Sequence, residues 1–83
     1  MDTPQDPAAK LLARRVGSRT RALRVARNIS QEQLGDLAAL HRTFIGRVER
    51  GETNITVYSL MRICEALDVS LKEFFRVFPA EAE

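Results

Sequence analysis

A chain of 83 residues admits one small domain and leaves no room for an elaborate active site with its supporting shell. The net charge of +2 hides an asymmetry: residues 1–50 carry ten Lys/Arg against five acids, and residues 51–83 carry three against six. From Lys10 to Arg27 there are seven positive charges and no negative one. A basic half is the electrostatic footprint of a polyanion binder, although a solvated helix face would show the same run. Cys64 is the single cysteine, which excludes an intramolecular disulfide, and its apolar helical setting reads as a small buried hydrophobe. No apolar run approaches the roughly 20 residues of a membrane span. The opening MDTPQDPAAK lacks a basic-then-apolar leader pattern, and the expectation is a cytoplasmic protein.

In chain order, residues 1–7 read as a disordered tail, residues 8–78 as one all-α domain of five helices, and 79–83 as a frayed tail. Helix 1 starts near Pro7, a residue suited to a first turn, and runs to about Arg27, with Leu12, Val16, Thr20 and Leu23 as its core stripe. Gly17 in mid-helix points to close packing against another helix. Helix 2 opens with the capping box Ser30-Gln31-Glu32-Gln33, Ile29 stapling onto Leu34, and turns Leu34, Leu37 and Ala38 inward. Helix 3 follows a turn of three or four residues. It buries Ile45 and Val48, leaves Arg42, Thr43, Gly46, Arg47 and Arg50 outside, and stops at Gly51, a natural left-handed terminator. Helix 4 runs from a Thr56 cap to about Leu67 on a stripe of Leu60, Ile63, Cys64 and Leu67. Helix 5 begins with a second capping box, Ser70 to Glu73, and carries Leu71, Phe74, Phe75 and Phe78.

Two helices joined by so short a turn form a helix-turn-helix unit, whose second helix enters the DNA major groove by its N-terminal residues. The groove admits one helix with an outer face of donors and little bulk. Helix 3 meets that demand: Arg42 and Arg47 can fork onto guanine O6 and N7, Thr43 can bond a base or touch a thymine methyl, and Gly46 removes bulk.

The stretch SQEQLGDLAALHRTFIGRVERGETNITVYSLMRICEALDVSLKEFF resembles the Cro/phage-repressor (xenobiotic-response-element type) helix-turn-helix family. Within it, the run from His41 to Thr56 and the aromatic last helix look most like the controller proteins of restriction–modification systems. With helix 1, the resemblance covers about residues 8–75. It implies a phage-repressor-like DNA-binding domain in which helices 2 and 3 form the reading unit. Arg42, Thr43 and Arg47 then match base-reading positions. Phe44 is grouped with them, either touching a thymine methyl or sugar or folding back onto the core. The resemblance puts Gln31, with Ser30 beside it, on a phosphate, and does the same for Arg50 and Asn54. Arg24 and Glu49 match an ion pair that ties helix 1 to helix 3. His41, the lone histidine, reads as a helix cap or a phosphate contact; no ligand cluster surrounds it, and no metal or cofactor is expected.

Leu71, Phe74, Phe75 and Phe78 exceed what a monomer of this size buries, and they read as a dimer interface; the other reading is that they complete the core. A two-fold dimer would place two reading helices about 34 Å apart on a near-palindromic operator in double-stranded DNA. The expected function is transcriptional regulation by occluding or recruiting RNA polymerase. The alternative is an antitoxin or protein-interaction module of the same fold. No catalytic pair is visible.

Overall fold

The structure, a computed structural model, describes residues 3–78. Residues 1 and 2 of the expected N-terminal tail, and the expected frayed tail 79–83, lie outside the described residues. The chain forms α1 (Pro7–Ala26), α2 (Gln31–Ala38), α3 (Arg42–Glu49), α4 (Val57–Ala66) and α5 (Leu71–Phe75), with no strand among the described residues. Helix α1 begins at Pro7, the expected start, and the described residues before it are irregular. Asp6 caps the helix by accepting from the Ala9 amide at 3.1 Å, and Pro4 is buried.

Each of the four connections between these helices turns on one left-handed residue: Asn28 (φ 59°), Ala39 (φ 57°), Gly51 (φ 73°) and Asp68 (φ 59°). Behind each, an amide reaches back five residues to a helix carbonyl, from Ile29 to Arg24, Leu40 to Gly35, Glu52 to Arg47 and Val69 to Cys64. These are Schellman closures, which satisfy orphan carbonyls and seat the next apolar residue against the helix just ended. Ile29, Leu40 and Val69 do pack on the core. Repeated short closures of this kind fold five helices into so few residues.

The core comprises Val16, Leu34, Ala38, Ile45, Val48, Leu60, Ile63, Cys64, Leu67 and Phe74. Each fully buried Leu, Ile or Phe contributes about 1.5–3 kcal/mol relative to exposure. Burial also raises the pKa of the Cys64 thiol by desolvation. The α1 stripe differs from the expected one. Ala13, Val16, Gly17 and Thr20 face inward, Leu23 is half-buried, and Leu12 is 49 % exposed. Gly17 explains the rotation. A methyl group there would collide with the Val48 carbonyl oxygen and lie 2.7 Å from that of Glu49. Helix α1 therefore sits backbone-close on the last turn of α3, and its neighbouring small residues turn inward with it. Leu37, expected in the core, is 64 % exposed, because eight residues of α2 present only a narrow Leu34–Ala38 line.

In α5 only half of the second capping box forms. Ser70 Oγ accepts from the Glu73 amide at 3.0 Å, while the Glu73 carboxylate turns to Arg76 at 3.1 Å. Phe74, expected at a partner interface, is wholly inside the core. It is the one ring of α5 that is buried, so the burial alternative holds for it. Leu71 and Phe78 are half-buried against that core, and Phe75 remains exposed.

Candidate nucleic-acid interface

The start of α2 and the outer face of α3 meet along one open cleft lined by Arg24, Ser30, Gln31, Glu32, Arg42, Thr43, Gly46 and Arg50. At its floor the Glu49 side chain, 2 % exposed, accepts from Arg24 Nε at 2.7 Å and Nη2 at 3.0 Å. Arg24 Nη1 donates to the Ile29 carbonyl at 2.8 Å. Hydrogen bonding to Glu49 raises the Arg24 pKa, with desolvation opposing it. This fork joins α1, the α1–α2 turn and α3 through a carboxylate with little contact with water. Gln31 Nε2 donates to the same carboxylate at 3.0 Å, so the floor of the site is a trio. The pairing of Gln31 was not apparent from the sequence, where Gln31 was matched only to a phosphate.

Above this floor the capping box of α2 is complete: Ser30 Oγ accepts from the Gln33 amide at 3.0 Å, and the Ser30 amide donates to Gln33 Oε1 at 2.8 Å. His41 caps α3, its Nδ1 accepting from the Thr43 amide at 3.0 Å. That cap orients the first turn of α3 and leaves Arg42 and Thr43 exposed. Arg42 rests on Glu32 at 3.3 Å. Arg50 forks onto Glu52 at 2.9 and 3.1 Å; these bonds raise the pKa of Arg50 and lower that of Glu52. Gly46 is buried rather than open, because Arg50 and Gln31 fold across it. Phe44 is half-buried and packs on the core, the second of its two expected arrangements.

Besides Phe44 and the capping His41, which do not line this cleft, two more of the expected contact residues lie away from it. Arg47 turns toward the C-terminal end of α3, its Nη2 3.4 Å from the Glu52 carbonyl oxygen, and lines a separate depression. Asn54 is exposed on the rim of an apolar groove with Leu12, Ile55, Val57, Leu60 and Phe75. The basic run of α1 divides as well. Arg19 Nε and Nη2 donate to the Phe74 and Glu73 carbonyls at 2.8 and 2.9 Å, capping α5. In α4, Arg62 does the same for α2 through the Ala38 carbonyl at 3.0 Å. Among the described residues no His/Cys/Asp/Glu cluster could hold a metal ion, and no helix is long and apolar enough to cross a membrane.

Comparison with known proteins gives the same architecture. A helix-turn-helix family model matches residues 21–74. Control protein C.SmaI of Serratia marcescens is 47 % identical over 51 residues, and the match spans 61 % of each chain. The chain thus covers about three fifths of that relative's length. The crystal structure of the restriction–modification controller protein C.AhdI from Aeromonas hydrophila superposes with a TM-score of 0.74 at 38 % identity, over 76 % of this chain and 96 % of that one. The controller protein C.Esp1396I, as a tetramer in complex with its natural 35 base-pair operator, gives 0.75 at 34 % identity, over 78 % and 86 %. The chain belongs to the helix-turn-helix family and, within it, to the restriction–modification control proteins.

Proposed function

We propose that the chain is a sequence-specific double-stranded DNA-binding regulator of transcription that acts as a dimer in the cytoplasm, with α3 reading the major groove. The observation that carries this reading is the exposed Arg42–Thr43 pair on the first turn of α3, beside the capped start of α2. A helix needs donors at that end to reach base edges, and the Arg24–Glu49–Gln31 trio beneath holds the two helices in register. Ser30, Gln31 and Arg50 flank the pair and are assigned to phosphates, helped by the free amides at the start of α2. The operator complex formed by the related C.Esp1396I supports the DNA partner and the multimer. Control of a restriction–modification system is the biological role this kinship favours.

The dimer surface is assigned to the apolar groove between α1, the α3–α4 loop, the start of α4 and α5, where Leu12, Val57 and Phe75 stand exposed. Contiguous apolar surface of this kind marks a partner site, and a second copy supplies the same apolar side chains in return. Selecting random duplexes on the purified protein tests the proposal. Enrichment of an inverted repeat with half-sites about one helical turn apart, 34–36 Å, is the expected result. Salt-sensitive binding without any enriched sequence would overturn base reading.

A further inference from the structure

The depression that draws Arg47 away from the reading cleft is itself a basic site. It is lined by Thr3, Pro4, Lys10, Arg14, Arg47 and Arg50, with Gly51 and Glu52 at its edge. Gly51 creates it. Its left-handed turn (φ 73°) and lack of a side chain let the Arg14 backbone approach so closely that a Cβ would stand 3.0 Å from Arg14 Cα. Lys10 and Arg14, one turn apart on α1, are thereby brought beside the last turn of α3. Pro4 is buried against this junction and forms one wall. The carboxylate at the edge, Glu52, is already forked by Arg50. Among the described residues Lys10, Arg14 and Arg47 have no carboxylate within ion-pair distance. Glu52, whose charge Arg47 feels, is the one carboxylate lining the depression, and Arg50 already occupies it; the remaining positive charges repel one another, and a bound anion relieves that repulsion.

We propose that this junction of α1 and α3 is a phosphate subsite, in which Lys10, Arg14 and Arg47 take a backbone phosphate of duplex DNA outside the stretch read by Arg42 and Thr43. The proposal rests on the DNA-binding reading above and makes Arg47 a backbone contact rather than a base reader. Arg50 lines both this depression and the reading cleft, so the subsite adjoins the reading surface, which favours nucleic-acid phosphate over a free anion.

The test compares two variants of equal charge on the full chain: K10Q/R14Q, and R15Q/K72Q, which removes two exposed or half-exposed cations elsewhere. Binding to the selected duplex and to a scrambled duplex is measured across a salt series. The expected result is that K10Q/R14Q weakens both duplexes alike and makes the salt slope shallower by about one, while R15Q/K72Q changes the slope less. Equal losses in the two variants would show diffuse attraction only and overturn the subsite, as would an unchanged K10Q/R14Q. Circular dichroism confirms that each variant is folded. If the unaltered protein binds duplexes without sequence preference, base reading fails, and the comparison on the scrambled duplex still decides the subsite.

Discussion

The two sides of this molecule are built on opposite principles. In the reading cleft the carboxylates already hold its charged groups: Glu49 holds Arg24 and Gln31, Glu32 holds Arg42, Glu52 holds Arg50, and both helix starts are capped. On the side formed by α1, the α3–α4 loop, the start of α4 and α5, large apolar side chains lie open, with Val57 69 % exposed. A surface with its polar bonds made keeps its shape before any ligand arrives, and binding then exchanges exposed ion pairs for phosphate or base contacts at little cost. A surface of bare hydrocarbon is finished only by another surface. The first accords with the proposed DNA contact and the second with the proposed contact to a second copy of the chain.

The largest test of this contrast is Glu49→Ala. It strands the Arg24 guanidinium in a site with little water and frees Gln31, so stability should fall by about 3–5 kcal/mol, read from the midpoint of a denaturant titration. A loss under about 1 kcal/mol would mean the pair behaves like a surface one and the reading side is not rigidly held. Next comes Arg42→Ala, which should cost about 1–3 kcal/mol of discrimination at one base pair. Gln31→Ala should instead weaken all sequences alike. Competition between matched and mutated sites separates the two, and identical profiles would contradict the assignment of roles.

On the opposite side, Phe75→Ser should weaken self-association by about 1–2 kcal/mol per copy and leave the monomer's helicity intact. Sedimentation across a concentration series reads this, and an unchanged association constant would move the interface elsewhere. The smallest effect concerns pH. Hydrogen bonds from Arg76 lower the Glu73 pKa below the ordinary carboxylate value, with the charge of Arg19 adding to it. A depressed folded value means the contact stabilises above the unfolded-state pKa and is lost as pH falls through the folded one. Glu73→Gln should flatten that acid limb of the stability curve, and an unaltered limb would show that the pair contributes nothing.

What the amino-acid order determined by itself is local. The capping box at Ser30, the Thr56 and Ser70 caps, the stop at Gly51 and the exposed start of α3 all depend on bonds spanning about five residues or fewer. They could be read before any tertiary structure was known. The left-handed closures at Asn28, Ala39 and Asp68 were harder to see: Asn and Asp tolerate the conformation without demanding it, and Ala39 adopts it against its intrinsic preference. The remaining features depend on distant parts of the chain. Arg19 is spent on carbonyls more than fifty residues away, and Gln31 on a carboxylate eighteen away. The close seat of α1 at Gly17 rotates Leu12 outward, Phe74 rather than Phe75 enters the core, and Gly51 draws Lys10 and Arg14 to the end of α3. A one-dimensional pattern records which residues can be apolar or charged. Which cation is used up and which ring is buried is decided only when helices far apart in sequence compete for the same few ångströms of space.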